Sequence, residues 1–341
     1  SHTTPDAITL QNELARIYQQ GARWAALEVS SHALDQGRVS GVAFDVAIFT
    51  NLSRDHLDYH GDIEAYAAAK RRLFQRPGLK TAVINLDDAW GDALADSLKS
   101  ELRVIGYGIE KESYEFEAVV AREINFDTRG VSARIETPWG VGQLRSKLLG
   151  RFNVMNLLAA LTAMLVEGIE LEESLLRLSK VETVPGRMEA FGGDGKPLVV
   201  VDYAHTPAAL EHVLRALQEH CVGRLWCIFG CGGDRDQGKR PLMAAIAEQY
   251  ADQVVVTNDN PRREDPNVIL AEIMPGFEQP DRVYVEPDRV NAIEYVLSNA
   301  RPDDVVLLAG KGHETTQIIG DEKIYLSDRD EVIRQLQEVL S

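Results

Sequence analysis

The chain has 341 residues, 45% hydrophobic and 26% charged, the profile of a soluble globular protein with apolar mass for two cores. Its 53 acidic residues exceed its 36 basic ones by 17, a field that opposes general binding to nucleic acid or an anionic membrane but leaves room for an anionic ligand in a local basic pocket. Three cysteines (Cys221, Cys227, Cys231) make no disulfide framework, no apolar run reaches about 18 residues, and the opening SHTTPDAITLQNELA has no signal-peptide pattern, so a cytoplasmic protein without a transmembrane helix is expected.

Thr9 to Gln20 places Leu10, Leu14, Ile17 and Tyr18 at helical spacing and predicts an amphipathic helix. The apolar runs Trp24–Val29, Val46–Thr50 and Ala82–Asn85 are each followed by polar or helical sequence, which predicts parallel strands with crossover helices. From about Tyr114 to Leu149 the pattern alternates around turn residues such as Asp127-Thr128-Arg129-Gly130, as in a small antiparallel sheet. Asn153 to Glu167 returns to a helix. A domain boundary is expected near Val184-Pro185-Gly186, dividing the chain into 1–183 and 184–341. Beyond it strands are predicted at Leu198–Asp202, Leu225–Phe229, Gln253–Thr257, Arg282–Val285 and Val305–Ala309, with helices at Pro207–His220, Arg240–Tyr250, Asn267–Ile273 and Val290–Asn299. The expected class is α/β: a central, mostly parallel domain with a small antiparallel sheet, then a C-terminal Rossmann-like α/β domain.

Polar clusters follow the predicted strands. In the second half these are Asp202-Tyr203-Ala204-His205, Gly230 to Arg235, Asn258 to Arg262, and Gly310-Lys311-Gly312-His313-Glu314; in the first half, Glu28 to His32 and Asn51 to His56. Open α/β sheets bind ligands outside the carboxyl ends of their strands, so two ligand-bearing edges are expected. Any one cluster alone is equally compatible with turn chemistry.

Glu28 and His56 at neighbouring strand ends can ligate a divalent cation, although a strand-end Glu is more often a cap or an ion-pair partner. Lys70, on a predicted helix Ile63–Phe74, reads by itself as a solvated lysine. His56 and His60 have the i, i+4 spacing of a helical zinc pair, but Gly61 follows at once and no Glu adjoins His56. Cys227 reads as a strand interior residue and Cys231 as a loop residue, with no second pair to complete a zinc site. Arg235 and Arg262 offer planar forks for carboxylates, and Asp259 and Glu314 can accept from an ammonium, which together suits a zwitterionic amino acid. A surface Arg–Asp pair is the plainer alternative. Neither GCGGDRDQGKR nor AGKGHE matches the GxxxxGK[ST] phosphate loop.

Several strings occur in order: EVSSHALDQGRV (Glu28–Val39), FTNLSRDHLDYHG (Phe49–Gly61), AAAK (Ala67–Lys70), GRFNVMNLLAA (Gly150–Ala160), VPGRME (Val184–Glu189), VVDYAHTP (Val200–Pro207), FGCGGDRDQGKRPLM (Phe229–Met243), NDNPR (Asn258–Arg262) and AGKGHE (Ala309–Glu314). Together they resemble the Mur ligase family across essentially the whole chain, and within it the members that add diaminopimelate. The resemblance implies an ATP-dependent ligase of peptidoglycan synthesis, acting as a monomer with Mg²⁺, that joins meso-diaminopimelate to UDP-MurNAc-L-Ala-D-Glu through an acyl phosphate. It implies that Lys70 is the carbamylated lysine and that Glu28 and His56 are metal-associated. Thr3, Thr4, Ser30, Gln36 and Arg38 match positions that hold the UDP-muramoyl peptide. Asn156, Arg187, Asp202 and His205 match the ATP side. Arg235, Asp259, Asn260, Pro261, Arg262, Gly310 and Glu314 match the diaminopimelate site.

Full-length members of the family also carry a uridine-binding domain and a GTNGKT-like phosphate loop, and neither string is in this sequence. The expectation is a span that starts downstream of both, with part of the first core exposed, holding the lysine and the amino-acid pocket without a complete ATP site. A non-catalytic binding fragment for diaminopimelate or the nucleotide peptide therefore stands beside the ligase. A lysine-adding or folate polyglutamate synthetase-like enzyme is disfavoured by NDNPR and EVSSH.

Overall fold

The computed structural model describes residues 3–53, 57–193 and 195–338. The chain forms two units, one of Ser1–Glu123, Arg134–Gln143 and Met155–Leu176, the other of Ile124–Ala133, Leu144–Val154 and Arg177–Ser341.

The first sheet has six strands in sequence order: β1 (Val46–Phe49), β2 (Thr81–Asn85), β3 (Arg103–Gly108), β4 (Ala118–Asp127), β5 (Gly130–Thr137) and β6 (Gly140–Ser146). β1 to β4 pair in parallel. The short connections around Thr128-Arg129 and Pro138-Trp139 fit only antiparallel neighbours, so β4 to β6 form a meander. The antiparallel segment predicted from alternation is thus part of the larger sheet. Its core includes Ala82, Ile84, Leu86, Ala95 and Leu98, all nearly inaccessible to solvent. Asp6 caps the first helix, Ala7–Gln19, by accepting from the amides of Ile8 and Thr9 at 3.0 Å.

One predicted strand does not form. Trp24–Val29 has no regular secondary structure and joins no ladder among the described residues, and Trp24 is 58% exposed with its indole N–H on Glu167 at 3.2 Å. The cluster Glu28 to His32 therefore follows no strand. It leads into the short helix Ser31–Asp35, whose cap is Ser30.

The second sheet contains β7 (Glu189–Gly192), β8 (Leu198–Asp202), β9 (Leu225–Phe229), β10 (Gln253–Val256), β11 (Tyr284–Val285) and β12 (Val305–Ala309), in the order β11-β10-β9-β12-β8-β7. All pairs are parallel except β7 with β8. The continuous apolar runs LVVVD, LWCIF and VVLLA are buried throughout, as strands covered on both faces require. Each fully buried Val or Leu there contributes about 1.5–3 kcal/mol. The covering helices include Pro207–Gln218, Lys239–Tyr250, Pro266–Ile273, Arg289–Asn299 and Asp328–Glu338. The predicted strand Arg282–Val285 is reduced to the two residues of β11. A hairpin, β13 (Thr316–Ile319) with β14 (Glu322–Tyr325), lies outside both sheets.

Candidate functional site

Strand register decides which loops meet. Ala309 pairs with Asp202, Leu308 with Ile228, and Val256 with Phe229. Parallel alignment then delivers the loops after β8, β9, β10 and β12 to one sheet edge, the place where open α/β sheets take ligands.

The loop after β10 is the most tightly held. Asp259, Asn260 and Pro261 are buried, and Asn260 donates from its amide to Glu314 Oε2 at 2.8 Å. The hairpin clamps the same loop: Gln317 donates to Asp259 O at 2.7 Å, the Ile318 amide to Asn260 Oδ1 at 3.0 Å, and the Arg262 amide to Ile318 O at 2.9 Å. Arg262 holds φ at +53°, a left-handed conformation rare for a side chain of its size, and donates from Nη1 to Gly233 O at 2.8 Å. Gly233 has to be glycine, because a Cβ there would stand 1.9 Å from Pro261 O. Gly232 has Arg262 and Arg235 both within 4 Å of where its Cβ would be, so the two arginines flank one glycine. Arg235 is exposed. At Gly310, where φ is +113°, a Cβ would stand 3.3 Å from Asp259 Oδ2. Burial raises the Asp259 carboxyl above its usual range, with Arg289 and Lys311 opposing the rise. The structure thus brings together Arg235, Asp259, Asn260, Pro261, Arg262, Gly310 and Glu314.

Beside this loop lies a ledge formed by the end of β8. Asp202 is buried and accepts from the amides of Met188 and Ala204, both at 2.8 Å; burial raises its carboxyl. The Arg187 guanidinium lies 5.0 Å over the Tyr203 ring, which also meets His205 at 4.6 Å and His313 at 5.6 Å. The His205 ring bonds Tyr203 O at 2.8 Å, and Lys239 donates to His205 O at 2.8 Å. Arg187, Asp202 and His205 therefore lie on adjoining backbone. Asn156 is exposed on the helix Arg151–Val166 and belongs to the other unit.

In the first unit, Thr4 is fully buried. Its hydroxyl donates to Glu28 O at 2.8 Å and accepts from the Ser30 amide at 3.0 Å. Arg38 donates to Thr4 O at 2.9 Å and, through Nε, to Gln36 Oε1 at 2.9 Å. Thr4, Ser30, Gln36 and Arg38 thus form one network, with Tyr59 joined through Gln36 at 3.2 Å. Thr3 is exposed.

The predicted metal set is less complete. His56 lies outside the described residues. Glu28 is exposed, and the Lys70 ammonium lies 5.1 Å over the Tyr66 ring. Among the described residues, no three His, Cys, Asp or Glu side chains are grouped to hold a metal ion. His60 bonds Ser31 Oγ at 2.9 Å through Nε2. Cys227 and Cys231 are buried, and their thiols are pushed up to about 12 by that burial.

Sequence reasoning passed over four residues. Arg240 is fully buried and binds Glu264 at 2.8 Å and also Glu272, while Glu264 accepts from the Asp234 amide. Tyr203 and Lys311 stand inside recognised clusters, and Gln317 lies just beyond one. The signal for Lys311 was a lysine between two glycines directly after a wholly apolar strand.

Two family models match the chain: Mur ligase middle domain over residues 1–164, and Mur ligase, glutamate ligase domain over 186–312. A protein of Coxiella burnetii named UDP-N-acetylmuramoyl-L-alanyl-D-glutamate--2,6-diaminopimelate ligase is 51% identical, the match covering 98% of this chain and 69% of the relative. A Pseudomonas aeruginosa protein of the same name is 54% identical, over 98% of this chain and 68% of its own. A solved structure of a ligase with that name superposes with a TM-score of 0.84 at 42% identity, covering 100% of this chain and 70% of the other. The chain spans about two thirds of the length of these relatives, and it belongs to the Mur ligase family.

Proposed function

We propose that this chain carries out the diaminopimelate-adding step of the family: ATP-dependent amide formation between meso-diaminopimelate and UDP-MurNAc-L-Ala-D-Glu, in the cytoplasm and as a monomer. The observation that carries the reading is the loop Asp259–Arg262, locked by Asn260 onto Glu314, with Arg262 and Arg235 meeting at Gly232 on the same sheet edge. An amino acid with two zwitterionic ends needs that arrangement, because forked donors match its carboxylate and acidic groups match its ammonium.

The reaction has two displacements. A carboxylate oxygen of the peptide attacks the γ-phosphorus of ATP, and ADP leaves. The neutral amine of the amino acid then attacks the acyl carbon, phosphate leaves, and the nitrogen loses its proton. In this reading residues 1–183 are the ATPase-type domain and residues 184–341 bind the amino acid. Thr3, Thr4, Ser30, Gln36 and Arg38 hold the nucleotide peptide, while Asn156, Arg187, Asp202 and His205 serve ATP.

The proposal extends to Mg²⁺ associated with Glu28, His56 and a carbamylated Lys70. Such an ion, when bound, supplies charge neutralisation where a carboxylate approaches a triphosphate. The described residues do not by themselves form its cage, so this part rests on the family resemblance. Carbamylation is read directly by NMR in ¹³C-bicarbonate: a carbamate signal is expected, and one that persists in Lys70→Ala rules the site out.

The ligation reading is tested by phosphate release with ATP, Mg²⁺ and the nucleotide dipeptide. Release should require diaminopimelate, and Arg262→Ala should raise the amino-acid KM by about tenfold or more while leaving the nucleotide KM nearly unchanged. Equal loss for both substrates contradicts the assignment. Diaminopimelate binding without turnover would favour the non-catalytic fragment.

A further inference from the structure

A pocket that receives a cation must keep its own anions charged and unpaired, and the amino-acid loop has an unusual way of doing so. The Lys311 side chain is completely buried. Its ammonium stands 3.7 Å from Glu314 Oε2 and 3.9 Å from Asp259 Oδ1, too far for a hydrogen bond to either. The bond it makes is to Thr316 O, at 2.6 Å. Asp259 is 7% exposed, and its Oδ1 meets no hydrogen-bond donor among the described residues. The lysine is placed between two carboxylates and fully claimed by neither.

Behind it lies a second pair. Arg289 and Asp328 are both buried and joined by two bonds of 2.7 Å, with a further Arg289 bond to Ala309 O at 3.0 Å. Arg289, Lys311, Glu314 and Asp328 all act on the Asp259 carboxyl. Arg289 and Asp328 cancel. Among the described residues, Lys311 is the cation within 4 Å of both Asp259 and Glu314, since Arg262 is turned to Gly233 O and Arg235 to Asp234 O, so at that range two negative charges meet one positive.

We propose that Lys311 is a positioning residue for the amino acid: the internal counter-charge that lets Asp259 and Glu314 stand together and receive one ligand ammonium. The inference rests on the amino-acid reading of this loop. The amine that attacks must carry a lone pair, so the ammonium held here is the one that does not react. Burial raises the Asp259 carboxyl and lowers the Lys311 ammonium, and each opposes the other's shift. Without the lysine, the buried Asp259 carboxyl, beside the half-buried Glu314, would hold its proton more tightly and lose its hold on a cation.

Lys311→Gln separates this role from a structural one, because its amide can still donate to Thr316 O while carrying no charge. Calorimetry with meso-diaminopimelate on the full chain, from about pH 6 to about pH 8.5, should show wild-type affinity changing less than about threefold. The variant should bind about tenfold more weakly at the acid end and recover as pH rises, since deprotonation restores the second carboxylate. Unchanged binding, or a loss equal at every pH, overturns the proposal. Should Lys311→Gln fail to fold, the wild-type profile decides, because affinity that titrates near neutrality contradicts a carboxylate pair held ionised. A wild-type chain that binds no diaminopimelate overturns the amino-acid reading itself, whereas a normal wild type with an unaffected variant overturns only the role of Lys311.

Discussion

His220 shows how much one neutral side chain can organise. It is 1% exposed, and its Nδ1 lies 2.7 Å from Asp127 O while Nε2 lies 2.9 Å from the Gly150 amide. A carbonyl only accepts and an amide N–H only donates, so the ring must be neutral with its proton on Nδ1. Burial lowers its folded-state pKa below the ordinary value. The unfolded chain therefore takes up a proton first. The stability contribution is complete above the unfolded value of about 6.5 and is lost as pH falls through the folded one. Urea midpoints at about pH 7.5 and about pH 5.5 should fall more in the wild type than in His220→Gln, which cannot titrate; an equal fall contradicts this. Nothing in the sequence around His220 announced the role, because both partners are backbone atoms 93 and 70 residues away. Arg262 was legible for the opposite reason: its neighbours Asp259, Asn260 and Pro261 stand beside it in sequence, immediately after a strand.

At the scale of elements, the pair Arg289–Asp328 ties the starts of two helices to the end of β12. Removing one partner strands a buried charge, so Asp328→Asn should cost about 3–5 kcal/mol, while replacing both with apolar residues of similar volume should recover most of that loss. Chemical denaturation checks both; a double variant as unstable as the single one would contradict the desolvation argument. The strands β8, β9 and β12 were legible because burial on both faces writes an uninterrupted apolar run. β3 was not, since Gly106 and Gly108 interrupt its apolar run, RVIGYG. The structure explains Gly106 by packing, because a Cβ there would lie 2.0 Å from Leu86 Cδ1. Trp24–Val29 failed in the other direction: its residues suit a strand, but strand formation needs a partner that no local pattern supplies. The hairpin β13–β14 also escaped notice, and its value lies in long-range bonds to the loop after β10.

For the whole molecule, the net charge of −17 and an anionic set of proposed substrates are reconciled by local placement. Arg235 and Arg262 meet at a single glycine, Gly232, on the sheet edge that also carries Asp259 and Glu314. What the sequence conveyed at this scale was the rhythm of strands and the ordered clusters. What it withheld was the balance of buried charge behind them, which exists only once β10 and β12 each pair with β9. Calorimetric titration of the full chain with meso-diaminopimelate and with L-lysine decides whether this edge recognises an amino acid bearing a second zwitterionic end. Saturable binding of meso-diaminopimelate at one site is expected, with L-lysine weaker by about tenfold or more, because lysine lacks the second carboxylate that the arginines would hold. Equal affinity for the two amino acids, or no binding of meso-diaminopimelate, would contradict it.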